Sequence, residues 1–111
     1  MKTNTFELIS VDRPRSAFLS QAHDLVSRRR FDHAERLLAN AVETPGIIIL
    51  PDLRVHAHCS ILLASVREER GAYRCVEPLY HGAVFIYDRE LGFEHPVVQE
   101  LASYMYQHFY F

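Results

Sequence analysis

The sequence predicts an all-α fold, and three observations carry that expectation. Apolar residues recur at the three-and-four spacing of a helix face in five successive stretches. Short connectors containing Gly or Pro separate most of these stretches. Only residues 6–11 approach the strict alternation of a half-buried strand. The chain is 111 residues long, one domain's worth, and 49% apolar with 23% charged side chains. That balance suits a chain able to bury a core, and excludes a disordered one.

Taken in order, residues 1–14 read as an extension closed by Pro14. Pro14 or Ser16 then starts the first helix, residues 16–28, with Pro in the first turn or Ser as the cap. Its stripe is Phe18, Ala22, Leu25 and Val26, and the cluster Arg28-Arg29-Arg30 ends it. The second helix, residues 31–42, carries a single stripe of Ala34, Leu37, Leu38 and Ala41. Glu43-Thr44-Pro45-Gly46 stops it, because Pro cannot continue a helix and Gly accepts the left-handed cap. Residues 47–51 form an apolar linker. A third helix starts near Asp52 as its cap and runs to about Arg70, with Cys59, Leu62, Leu63 and Val66 facing inward, until Gly71 breaks it. The fourth, residues 73–91, presents Val76, Leu79, Tyr80, Ala83 and Ile86, and Gly92 ends it. Pro96 opens a fifth helix, with Val97, Leu101, Tyr104 and Met105 on its inner side.

Charge and composition narrow the function classes. The formal net charge is −2, so nucleic-acid binding driven by bulk charge is not expected. The distribution is uneven: residues 1–30 carry +3 and residues 31–111 carry −5. No stretch reaches the roughly 18–20 apolar residues of a membrane span. Glu7 and Asp12 interrupt the N-terminal apolar residues, so no signal peptide is read there. Cys59 and Cys75 form neither a C-x-x-C pair nor a disulfide framework, and free thiols in a cytoplasmic protein are the expectation.

The helices also repeat. Laying Phe31-Asp32-His33-Ala34 over Tyr73-Arg74-Cys75-Val76 gives an offset of 42 residues, which also pairs Leu38 with Tyr80, Ala41 with Ala83 and Ala22 with Ala64. Small residues let antiparallel helices approach, and large ones fill the holes left between them. The segment Val76-Glu77-Pro78-Leu79-Tyr80, then Ala83, Ile86 and Leu91-Gly92-Phe93-Glu94-His95-Pro96-Val97-Val98, resembles the kinesin-light-chain type of tetratricopeptide repeat. The likeness covers residues 71–102 and, less closely, 16–43. It implies an α-solenoid of about two and a half antiparallel helix hairpins: repeat one over 15–46, repeat two over 52–92 and a partial third over 96–111. Arg29 stands where the first turn of that family has Gly, which implies a looser or a strained turn.

The resemblance implies a non-catalytic protein-interaction module, an adaptor or small scaffold subunit, that binds protein or peptide through its concave face. On that face it places Ser16, Leu19, Ser20, His23, Val26 and Ser27 in repeat one. In repeat two it places His58, Ile61, Leu62, Ser65, Glu68 and Glu69. The C-terminal run Tyr104-Met105-Tyr106-Gln107-His108-Phe109-Tyr110-Phe111 adds a second candidate, since six of its eight residues are aromatic or Met. It reads as a plug on its own core, as an interface with a partner, or as a surface that further chain would cover. Tyr104, Tyr106, Gln107, Phe109, Tyr110 and Phe111 are the expected contacts, with a homodimer of terminal helices as the alternative.

Other chemistry finds little support. His56 and His58 sit i and i+2, about 200° apart on a helix, and do not reach one ion; no metal and no cofactor are expected. The chain lacks a Gly-rich phosphate loop, H-E-x-x-H and G-x-S-x-G, and no catalytic residues are assigned.

Overall fold

The structure, a computed structural model, describes residues 16–44 and 53–109. Among these there is no strand. The elements are α1 (Ala17–Ser27), α2 (Phe31–Val42), α3 (Leu53–Glu69), a 3₁₀ turn (Tyr73–Cys75), α4 (Glu77–Leu91) and α5 (Pro96–Phe109). The extension of residues 1–14, the linker of 47–51, the Asp52 cap, Tyr110 and Phe111 lie outside the described residues. Each helix packs on the next, and α1 also reaches α3. No described helix is long and apolar enough to cross a membrane.

Ser16 opens α1 as a cap: its extended backbone lets its hydroxyl accept from the Leu19 N–H at 3.3 Å. The end of α1 is a Schellman turn, in which two backbone N–H groups reach back to carbonyls the helix leaves open. Arg29 N–H donates to the Val26 carbonyl at 3.0 Å and Arg30 N–H to the Leu25 carbonyl at 2.9 Å. The end of α3 repeats this 42 residues later. Gly71 N–H donates to the Glu68 carbonyl at 3.1 Å and Ala72 N–H to the Arg67 carbonyl at 2.8 Å. The turn needs a left-handed residue at its bend. Gly71 adopts φ +79°, and Arg29 adopts φ +58° without glycine's freedom. The first turn is therefore as tight as the second, and strained.

Burial follows the same offset. Leu19 and Ile61, Ala22 and Ala64, Leu38 and Tyr80 are all fully buried. Fully buried alanines, having little side chain, let α1 and α3 approach their neighbours closely.

Two elements depart from the sequence reading. The fourth helix does not run unbroken from Tyr73. The ring of Pro78 would collide with the Arg74 carbonyl inside an α-helix, and Pro78 has no N–H to donate. The chain makes one 3₁₀ turn instead, and α4 starts with Pro78 in its first turn. The third helix carries no simple stripe: every residue from Ala57 to Arg67 is buried. It lies among α1, α2 and α4 and touches α5, so all its faces meet protein.

Candidate interaction surfaces

The residues expected on the concave face divide. His23 and His58 are buried and face each other, with 3.0 Å between their Nε2 atoms and 5.1 Å between ring centroids. One of the two rings donates and the other accepts, so the pair joins α1 to α3. Ser65, Ile61, Leu62 and Leu19 are buried as well. Ser27 is exposed, and its hydroxyl donates to the His23 carbonyl at 2.9 Å. Ser20 and Glu69 face solvent, while Ser16 and Val26 are half-buried. Of this set, Ser20, Ser27 and Glu69 present open side chains.

The aromatic C-terminal helix divides too. The Tyr104 hydroxyl donates to Glu68 Oε2 at 2.5 Å, and the Tyr80 hydroxyl donates to Glu68 Oε1. The Tyr104 ring lies 5.3 Å from Tyr80 and stacks on His108 at 4.0 Å. Phe109 packs 5.9 Å from Tyr80. Burial, then the neighbouring Glu68 carboxylate, pushes the Tyr104 phenol well above its ordinary range. Tyr104 and Phe109 thus turn toward the core. Tyr106, 64% exposed, and Gln107 face outward. Helical geometry explains the split, since Tyr106 lies about 200° around the axis from Tyr104.

Sequence reasoning missed a second polar group. Arg67 grips Glu43 through two bonds of 2.7 Å and also meets Glu35 at 3.3 Å. Arg70 bonds Asp32 at 2.6 Å and Glu35 at 2.5 Å. The hydrogen bonds from Arg67 hold the Glu43 carboxyl below its ordinary range, and Glu43 in turn raises the Arg67 guanidinium. A signal for this was present. At the 42-residue offset Arg67 falls on buried Leu25 and Glu68 on half-buried Val26, so two charges stand where the first repeat has apolar core.

Open depressions mark the described surface. One, about 430 Å³, is lined by Arg29, Arg30, Phe31, Asp32, His33 and Arg70. Cys59 is fully buried, and burial pushes its thiol up to about 12, while Cys75 is exposed. Among the described residues no group of three His, Cys, Asp or Glu side chains is arranged to hold a metal ion. Among the described residues, the large apolar side chains that reach solvent are Leu53, Tyr73, Phe85, Phe93 and Tyr106. Comparison of the chain with protein-family models, with curated proteins and with solved structures finds no match.

Proposed function

We propose that this chain is a non-catalytic protein-interaction module of the tetratricopeptide type, serving as an adaptor or small subunit of a cytoplasmic assembly. The observation that carries this reading is the hairpin turn that recurs 42 residues later with the same hydrogen bonds and the same left-handed bend. Stacked helix hairpins act by presenting a rigid surface, and each unit adds area to it. The contact surface assigned here is the outer side of α5, where Tyr106 and Gln107 stand free of the core. An exposed tyrosine on a rigid helix is a strong anchor: it offers large apolar area and a hydroxyl at little entropic cost. Ser20, Ser27 and Glu69 supply the polar contacts.

The test is site-specific photo-crosslinking of the full chain in its native cells, with the photoreactive residue at Tyr106 and a control at exposed Arg36 on α2. A discrete adduct from position 106 that position 36 lacks is the expected result. Equal labelling from both positions, or none from either, overturns the reading.

A further inference from the structure

Two imidazoles meet in the core where α1 crosses α3. His23 on α1 is buried and His58 on α3 fully so, with their Nε2 atoms 3.0 Å apart. At that distance a single hydrogen lies between the rings, donated by one and accepted by the lone pair of the other. The bond exists only while the accepting Nε2 is unprotonated. A proton placed there sets two N–H groups against each other, and the rings must part. The donating ring can take one proton at its Nδ1 and keep the bond, which buries a charge. The closed pair thus holds at most one proton, whereas separated rings hold two.

The charged groups on the surrounding helices do not offset such a charge. Arg54 lies one turn before His58 on the same side of α3, and its Nε is buried and makes no hydrogen bond. His56 points to the other side of α3, and burial keeps the Cys59 thiol protonated. Asp24, beside His23, is exposed and pairs with Arg28 at 3.3 Å. On α2, Asp32, Glu35 and Glu43 are engaged by Arg67 and Arg70, and His33 and Arg36 face solvent. Farther along α3, Glu68 is bonded by Tyr80 and Tyr104, and Glu69 is exposed. On α4, Glu77 pairs with His81, while Asp88, Arg89 and Glu90 are exposed. Glu100 and His108 on α5 and Arg74 in the 3₁₀ turn are exposed too.

We propose that His23 and His58 form a proton-operated latch, which holds α1 on α3 at neutral pH and releases it in mild acid. The direction follows from the proton counts: the released state binds more protons than the closed one, so falling pH favours release. Exposed imidazoles titrate near about 6.5, which sets the upper edge of the window. Below it, the equilibrium constant for release rises about tenfold per pH unit for each extra proton bound. The contact between α2 and α3 is built differently. Hydrogen bonds from Arg67 hold the Glu43 carboxyl below its ordinary range, so that bridge persists while the imidazoles charge. Mild acid therefore frees α1 and leaves α2 on α3. Release exposes part of the buried side of α1, which carries Leu19, Ala22 and Leu25. Tyr106 and Gln107 take no part, so the latch stands or falls separately from the α5 contact.

Nuclear magnetic resonance of the full chain tests this between about pH 8 and about pH 5. Long-range nitrogen–proton spectra of the imidazoles read tautomer and charge. Amide exchange, corrected for its intrinsic pH dependence, reads the opening of each helix. At the upper end both rings are neutral and share one Nε2 proton. On acidification both become imidazolium together, and α1 amides lose protection about tenfold or more per pH unit while those of α2 keep theirs. In the double variant His23→Gln, His58→Gln, whose side chains do not titrate, α1 protection stays level over the same range. The titration of the parent decides alone should that variant not fold. Rings that stay neutral down to about pH 5 overturn the latch. So does imidazolium formation with α1 still protected, loss of α2 together with α1, or an unchanged pH dependence in the double variant.

Discussion

Arg29 and Gly71 offer a direct exchange, since both close the same turn in successive hairpins with φ +58° and +79°. A left-handed backbone costs an L-residue about 1–2 kcal/mol. Replacing Arg29 by Gly removes that cost. It adds about 0.5–1 kcal/mol of chain entropy to be lost on folding. It also loses the stacking of the Arg29 guanidinium over Phe31, 5.3 Å from the ring centroid. An exposed cation–π contact is worth about 0.5 kcal/mol. The net for Arg29→Gly is a small gain of roughly 0.3 kcal/mol. For Gly71→Arg it is a loss of roughly 1 kcal/mol. A Cβ at residue 71 meets nothing within 4 Å, so that loss is conformational and not a clash. Urea denaturation at constant pH reads both, as shifts of midpoint in opposite directions with an unchanged slope. A destabilising Arg29→Gly, or a neutral Gly71→Arg, refutes the claim that the two turns are strained and unstrained copies of one device.

Arg67→Met keeps the stem and removes the guanidinium from Glu43 and Glu35, and is expected to cost about 2 kcal/mol. Because Arg67 lowers the Glu43 pKa, that pair contributes stability above the carboxylate range and loses it as pH falls; acid titration of the variant by circular dichroism shows a shallower loss. Glu68→Gln leaves one good acceptor for two tyrosine hydroxyls and lowers stability by about 1 kcal/mol, read by thermal melting. Cys59 is raised from 9.0 to about 12, so the folded state holds its proton after the unfolded state has released it; stability therefore falls as pH rises from 9.0 toward 12, and Cys59→Ala flattens that fall. An aromatic disulfide reagent labels one thiol at once, Cys75, and reaches Cys59 only on unfolding.

How far the sequence spoke depended on which interaction decided each feature. The bounds of α2 were legible in full, because a clean stripe meets a Pro-Gly stop. For the turn after α1 the sequence left open a looser turn or a strained one, and the φ of +58° at Arg29 decides for strain. The start of α4 was misread, because the stripe continues through Val76 while Pro78 forbids the hydrogen bonds; periodicity records faces and not donors. In α3 four inward residues were visible, yet neighbours on every side bury the whole middle of the helix, and only the assembled fold shows that. The His23–His58 pair joins residues 35 apart, outside the repeat offset, and no local pattern marks it. On α5 the composition announced an aromatic surface, but the helical period decides that Tyr104 and Phe109 turn in and Tyr106 turns out.

The most informative difference between α1 and α3 at the 42-residue offset is also the one that organises the fold. Where α1 has Leu25 and Val26, α3 has Arg67 and Glu68 at the 42-residue offset, and these neighbours reach to different helices. Arg67 reaches back to Glu35 and Glu43 on and just beyond α2, and Glu68 reaches forward to Tyr80 on α4 and Tyr104 on α5. Apolar residues there would bury comparable surface and leave the rotation of α3 between the hairpins loosely specified, since dispersion has little direction. A bidentate arginine and a carboxylate held by two hydroxyls accept few geometries. Adjacent residues on α3 thus fix its register to both neighbours at once. The same arrangement holds the Tyr104 hydroxyl against Glu68.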